Sequence, residues 1–480
     1  MVNDMTRKEF LQTLGIGAAT IAVSNLPGAS LLHAAEAATP EKPLPKNTER
    51  LNFGLPDQEA VVLRPVTAIV IGAGSRGSVY ASYSGQYPKS LKIVGVADIN
   101  AVRREQMAQT YGIAPEHQFG DWSEVFRLPK FADAVIIATP DNLHYKPSMQ
   151  ALAAGYDVLL EKPIAQTAKE CTDILHQARK YGRLVGVCHV LRYAPYFRAL
   201  KRVIDEGRVG DIVSVQHLEP VRFHHMAHSY VRGNWHSAKQ TTPIIIAKAC
   251  HDLDIIRWLL GKPCKRVSAF GSLSFFTRKN EPQGAADRCF DCAVEKQCPF
   301  SALKIYIREH KYLYVFDALP QDRLAKDAKI ADYLRTTDYG RCVFRCQNDQ
   351  CDHYVCNLEF DGPNGTAPAT ASLQVEALTS YGGRKTRIMG TKGDIVGDMK
   401  TFTLTDFLTG KKYVWDEDIS QLPGYEGHAG GDWGIVKDFV LAVAHQDEKY
   451  LSSTIDVSVE SHVMGFRAEQ ARLKSKIVNI

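Results

Sequence analysis

Val66-Thr-Ala-Ile-Val-Ile71 runs directly into Gly72-Ala-Gly-Ser-Arg-Gly77. An apolar strand, a glycine turn and a following helix form the opening of a dinucleotide-binding βαβ unit. Gly72 permits the tight turn, Gly74 lets the backbone approach a pyrophosphate, and Gly77 lets the helix pack close to the strand. The helix start at Ser75 and Arg76 offers free N–H groups and a partial positive charge to phosphates. The next apolar run, Leu91-Lys-Ile-Val-Gly-Val-Ala-Asp98, ends in a carboxylate 21 residues beyond Gly77. There it can accept hydrogen bonds from an adenosine ribose and repel a 2′-phosphate, which favours NAD over NADP. Arg103 and Arg104, a few residues on, soften that preference.

The chain has 480 residues, 45% hydrophobic and 23% charged, with a formal charge of +5. That length suits two or three domains. The small charge and the lack of any basic run or basic-aromatic array exclude a nucleic-acid partner. No apolar stretch suits a mature membrane span. Residues 1–37 read as an export signal. Thr6-Arg-Lys-Glu-Phe-Leu11 leads into Leu14-Gly-Ile-Gly-Ala-Ala-Thr-Ile-Ala-Val23, and Ala35-Glu-Ala37 offers a cleavage site. Arg7-Lys8 resembles a twin-arginine signal in which lysine replaces the second arginine. A protein that takes up its nucleotide inside the cell must cross the membrane folded, so a periplasmic location is expected; a Sec signal, or an uncleaved helix and cytoplasmic residence, is the alternative. Residues 38–65 read as a linker.

Residues 66–188 alternate strand-like and helix-like segments, as a parallel α/β sheet does. Strands are expected at 66–71, 91–97, 133–138, 156–160 and 183–188, and helices at 76–86, 100–111, 145–154 and 167–181. After Arg192 the character changes: a helix at 194–206, a strand at 211–219, a buried helix from Asp252 to Leu260, and short alternating runs between about 355 and 416. The fold class that follows is α/β, an N-terminal Rossmann domain with a parallel sheet. A second, α+β domain over 189–480 carries a large, mostly antiparallel open sheet.

Seven of the eleven cysteines fall between residues 289 and 356, in a segment (about 275–356) inserted into the second domain. Cys289, Cys292 and Cys298 with Cys346 or Cys342 have spacings that suit a structural zinc. An iron–sulfur cluster, disulfides or free thiols are the other readings.

These residues resemble the Gfo/Idh/MocA family of nicotinamide-dependent sugar oxidoreductases. The matching motifs are Gly72–Gly77, Asp98, Ala138-Thr-Pro140 with His144, Glu161-Lys162-Pro163, and Cys250-His-Asp-Leu-Asp254. The resemblance implies NAD across the carboxyl ends of the parallel strands, touching Thr139, Pro140, His144, Glu161 and Lys162. It implies a sugar between the nicotinamide and the second domain, and a homo-oligomer formed through the open sheet. Lys162 is the expected positive group at the developing oxyanion, held by Glu161, and His251 the expected base. Many relatives carry an aspartate four residues before this histidine; here Ala247 stands there and Lys248 follows. The substrate candidates are His189, Arg192, Tyr193, His228, Trp235, Lys248, Asp252 and His428. His224 and His228, at i and i+4, can bind a metal or hydrogen-bond a sugar. The implied activity is oxidation of a sugar or glycoside hydroxyl. The alternative is an NAD-dependent glycosidase that oxidises C3 transiently and eliminates the aglycone.

Overall fold

The computed structural model describes residues 44–362 and 367–480. The expected export signal lies outside the described residues. Thr48–Arg50 forms a short strand, β1. Val66–Ile71 (β2), Leu91–Ala97 (β3), Gln118–Phe119 (β4), Ala134–Ile137 (β5), Asp157–Leu160 (β6) and Val185–Val187 (β7) form a six-stranded parallel sheet in the order β4-β3-β2-β5-β6-β7. Its central strands, such as Ala-Val-Ile-Ile in β5 and Asp-Val-Leu-Leu in β6, are buried at every position. Helices cover both faces of such a sheet, so the strands read as continuous apolar runs.

The second sheet has ten strands. Ile212–Pro220 (β8), Cys264–Ser272 (β9), His353–Phe360 (β10), Ala369–Glu376 (β11), Lys385–Gly390 (β12), Gly393–Gly397 (β13), Phe402–Asp406 (β14), Lys412–Trp415 (β15) and Val478–Asn479 (β16) join β1 in it. The order is β1-β15-β14-β13-β12-β8-β11-β10-β9-β16. Only β1–β15 and β8–β11 pair in parallel; every other neighbour is antiparallel. In β10 and β11 every second residue is buried, so one face packs on the core and the other stays open.

The chain order of the two halves is less simple than the sequence suggests. Gly431–His445 returns to the first sheet, and its Ile435, Val436, Phe439 and Val440 pack in one core with Val66, Val70, Tyr80 and Tyr83. Ile455–Lys474 also returns: Ile455 and Val459 join the core on the opposite face of that sheet. The expected linker is also part of the fold. Besides β1, Ala60 donates its N–H to the Tyr83 hydroxyl at 2.9 Å, and Ser90 Oγ donates to the Ala60 carbonyl at 2.7 Å. Among the described residues, no helix is long and apolar enough to cross a membrane.

The inserted segment has its own small core of Cys289, Ala302, Ile305, Tyr306, Phe316, Ile330 and Leu334. Its one long helix, Arg323–Thr336, is capped by the Asp322 carboxylate, which accepts the Ala325 N–H.

Candidate active site

The glycine turn has the geometry a phosphate cradle needs. Gly72 has φ +92°, and a Cβ there would lie 2.7 Å from the Ala138 carbonyl carbon. A Cβ on Gly77 would lie 2.0 Å from the Gly72 carbonyl oxygen. Gly74 differs: the nearest atom to a Cβ there is an Arg103 guanidinium nitrogen at 3.5 Å, so space is open above it. Gly74 is the N-cap of Ser75–Gln86 and no side chain occupies the helix start. The free N–H groups of Ser75, Arg76 and Gly77 therefore face outward for an anion. Asp98 closes β3 beside this turn. It accepts the Ala73 N–H at 2.6 Å and the Asn100 N–H at 2.7 Å, so it braces the turn from the ribose side.

Arg76 turns away from the phosphate position. Its Nε donates to Glu161 Oε1 at 2.6 Å and an Nη donates to Asp432 Oδ1 at 2.6 Å. Glu161 also accepts from the Tyr80 hydroxyl and from the Lys162 backbone N–H. Glu161 thus anchors the backbone at Lys162 and leaves the ammonium free, contrary to the expectation that it holds the amine. Lys162 Nζ instead donates to the Ala247 carbonyl at 3.0 Å, four residues before His251. The position where many relatives have an aspartate supplies a backbone acceptor here.

His251 is buried in the first turn of Cys250–Leu260. Its ring lies 5.9 Å from that of His189 and 6.0 Å from that of His428. Burial, with Lys162 and the neighbouring histidines, pushes its pKa well below the ordinary value, so the ring is neutral at neutral pH. His428 Nδ1 pairs with Asp432 at 3.0 Å. Nδ1 of His251 and both ring nitrogens of His189 are buried with no hydrogen-bond partner in the described protein. Buried polar atoms are almost always satisfied, so these orphans fit a polar ligand seated between them. His189 follows the carboxyl end of β7, as Lys162 follows that of β6, where a nucleotide laid across a parallel sheet ends; His251 is brought beside His189 by the helix Cys250–Leu260.

Several expected site residues do structural work instead. His144 has both ring nitrogens on carbonyls, Pro163 O at 2.6 Å and Thr139 O at 2.7 Å. It ties the two loops together beneath the cofactor position and has no nitrogen left for the cofactor. The Thr139 hydroxyl donates to the Leu143 carbonyl within the same loop. Arg192 is fully engaged: Nε and Nη2 donate to the two oxygens of Asp254, both at 2.6 Å, and Nη1 to the Ser452 carbonyl. The Tyr193 hydroxyl bonds Ser453. Asp252 is held by Arg384 at 2.6 Å and by His217 at 2.9 Å, and Arg384 also pairs with Glu219 at 2.9 Å. Glu219 in turn lies 3.4 Å from Lys248 Nζ, so the second cation is compensated. Burial opposes ionisation of Asp252, but Arg384 and His217 hold it below the usual carboxylate range. These three substrate candidates, Arg192, Tyr193 and Asp252, are closed off by partners far away in sequence.

His228 lies in a π-helical turn, Met226–Arg232, inside a tyrosine cage. Its nitrogens meet the hydroxyls of Tyr306 and Tyr314, and its ring stacks on Tyr312 at 4.2 Å. His224 meets the Tyr312 hydroxyl at 2.6 Å, so the i, i+4 pair converges on that tyrosine. The indole N–H of Trp235 donates to Asp141, a buried acid on the loop after β5. Burial raises the Asp141 pKa.

Of the two cysteine quartets expected, the structure gathers the one with Cys342 and not the one with Cys346. Cys289, Cys292, Cys298 and Cys342 line one small cavity, but Cys346 is off it, its thiol donating to the Cys342 carbonyl at 3.3 Å. The Cys289 sulfur accepts from the Ala302 N–H and from Arg232. Among the described residues, no group of three or more His, Cys, Asp or Glu side chains is arranged to hold a metal ion.

His462 belongs to the site and gave no motif. It accepts the Ile164 N–H at Nε2, donates from Nδ1 to the Ser458 carbonyl, and its ring lies 5.3 Å from His189. Burial, then His189, depresses its pKa to about 3. An unfolded imidazole titrates near 6.5, so between those values the unfolded chain binds the extra proton. Stability is therefore expected to fall as pH drops below about 6.5. Each buried neutral ring (His189, His251, His462) contributes up to about 1.4 kcal/mol per pH unit. Urea unfolding at neutral and mildly acidic pH checks this; equal midpoints would contradict it.

Comparison with known proteins agrees with this fold. Residues 66–189 match the family model described as "Oxidoreductase family, NAD-binding Rossmann fold", and residues 197–295 match "GFO/IDH/MocA C-terminal domain". Inositol 2-dehydrogenase of Klebsiella pneumoniae is 32% identical over 200 residues, 41% of this chain and 55% of that protein. The chain thus spans little more than half the length of that curated relative. An inositol dehydrogenase homologue of Azotobacter vinelandii, solved with NADH and myo-inositol, superposes with TM-score 0.60 at 16% identity, covering 88% of this chain and 100% of that one. Levoglucosan dehydrogenase, solved with NADH and L-sorbose, gives TM-score 0.62 at 18% identity over 87% of this chain and 99% of that one. At such identities the superpositions speak to the fold alone. The two matched domains, in this order and with this sheet topology, make the chain a member of the Gfo/Idh/MocA oxidoreductase family.

Proposed function

We propose that this chain is an NAD-dependent oxidoreductase that oxidises a ring hydroxyl of a carbohydrate or cyclic polyol. The observation that carries the reading is the convergence of Lys162 and a neutral, buried His251 beside the carboxyl ends of the parallel strands. NAD, when bound, supplies the hydride acceptor. The glycine turn would hold its pyrophosphate and Asp98 its adenosine ribose. Lys162 Nζ would lie against the substrate oxygen and stabilise the negative charge that grows there. His251 would accept the hydroxyl proton at a ring nitrogen. His428, fixed by Asp432, and His189 would flank the ring and orient the substrate. Tyr314 and Trp235 would offer aromatic surface to a sugar face. The relatives named above act on, or were solved with, polyhydroxylated ligands, which supports this substrate class. We extend the reading to export through residues 1–37 and to a homo-oligomer covering the open face of the ten-stranded sheet.

Incubating the purified chain with cyclic polyols and glycosides, with and without added NAD, tests the proposal. Net NADH formation that scales with added NAD is expected. Aglycone release with no net NADH would replace it with the glycosidase reading, and no reaction across the panel would sink both.

A further inference from the structure

The inserted segment reaches the cofactor side of the molecule as well as the substrate side. Asp317, just after the short helical turn Leu313–Val315, crosses to the first domain. Its Oδ1 accepts from Arg103 Nε at 2.8 Å and its Oδ2 from Arg103 Nη2 at 3.2 Å. The Asn100 side-chain amide donates to Oδ2 at 2.9 Å. Asn100 also caps Ala101–Tyr111, its side-chain oxygen accepting the N–H groups of Val102 and Arg103. The remaining guanidinium nitrogen of Arg103 lies 3.5 Å from where a Gly74 Cβ would be. Arg103 thus overhangs the open space above the glycine turn, with Asp98 at the end of the preceding strand.

This is the place where a dinucleotide's adenosine ribose arrives. An arginine there can take a 2′-phosphate in its planar fork. Here two carboxylates stand beside the one arginine, and its Nε–Nη2 edge is already taken by Asp317. The pair is about one-third exposed on each side, 34% for Arg103 and 37% for Asp317, so it adds little to stability. Its consequence is for what can enter. A 2′-phosphate would have to displace Asp317 and sit near two like charges, whereas a 2′-hydroxyl would not.

We propose that Asp317, supplied by the insertion, is a cofactor-selectivity residue: by occupying Arg103 it admits NAD and turns NADP away. The proposal rests on the dinucleotide reading of the glycine turn. Asp317 touches no reacting atom; it acts by positioning Arg103.

The test is equilibrium titration of the full chain with NADH and NADPH, followed by nicotinamide fluorescence, for the wild type, D317A, D317N and the double variant R103A/D317A. The wild type is expected to bind NADH about tenfold or more tightly than NADPH. In D317A and D317N, NADPH binding should tighten about tenfold while NADH changes less than about threefold. The double variant should lose that gain, because the freed arginine is what captures the phosphate. D317N keeps the side chain's shape should D317A misfold. An unchanged NADPH-to-NADH ratio in D317N, or a gain that survives loss of Arg103, would overturn the proposal. A wild type that binds neither nucleotide would overturn the dinucleotide reading itself, and this inference with it.

Discussion

Lys162→Met should lower kcat by about a thousandfold while NADH affinity stays within a few-fold of wild type. The backbone at residue 162 is fixed by Glu161 and followed by Pro163, and neither contact involves the ammonium. The amine itself makes one bond, to the Ala247 carbonyl. Methionine keeps the stem and removes the charge, so the glycine turn and the ribose carboxylate are untouched. What disappears is the positive charge at the position where oxyanion character develops. In a site this enclosed, such a charge acts through little solvent. Steady-state kinetics together with a separate nucleotide titration checks the split. A variant with near-normal kcat would show that Lys162 is only structural, and one that no longer binds NADH would show that its role is cofactor binding.

The second large effect is on stability. Asp254→Ala should cost about 3–5 kcal/mol, because it leaves the buried Arg192 guanidinium without its carboxylate. Arg192 is 2% exposed and Asp254 fully buried, and the pair is bidentate. Ser461 also donates to Asp254, and His189 Nε2 lies 3.7 Å from it. The pair therefore clips three elements together: the turn after β7, the helix carrying His251, and the helix Ile455–Lys474. Losing it should both destabilise the chain and loosen the base. Replacing both partners with apolar residues of similar volume should recover much of the loss, since the penalty comes from the stranded charge. Denaturant unfolding of the single and double variants measures this. A loss under about 1 kcal/mol in Asp254→Ala would mean that water reaches the site.

How far the sequence speaks depends on where a residue's partners lie. Five of the six parallel strands were legible because each carries a largely apolar run within an alternating strand–helix order; the two-residue strand Gln118–Phe119 has no such run and was not. Five of the six strands of the second sheet between 353 and 415 were legible from their alternation. Cys264–Ser272 was missed: its alternation is spoiled by Phe270, which is 66% exposed on the open face. Gly393–Gly397 is five residues bounded by glycines and carries little pattern. Arg323–Thr336 escaped notice because only Ile330 and Leu334 are buried on an otherwise charged helix. The same logic divides the site. Gly72, Gly77, Asp98, Lys162 and His251 announce themselves through neighbours in sequence. Arg192, Tyr193 and Asp252 looked like sugar ligands because their true partners, Asp254, Ser453 and Arg384, stand 62, 260 and 132 residues away. His462, nearly three hundred residues beyond Ile164, is invisible until the last helix folds back onto the first sheet.

The turn at Gly72–Gly77 is expected to seat a dinucleotide whose nicotinamide end reaches Lys162 and His251. An experimental structure of the chain grown with NAD tests it most directly. The expected density has the pyrophosphate at the start of Ser75–Gln86, the adenosine ribose at Asp98, and the nicotinamide ring beside Lys162, His251 and the unpartnered nitrogens of His189. A nucleotide bound elsewhere, or a ring turned away from Lys162 and His251, would contradict it.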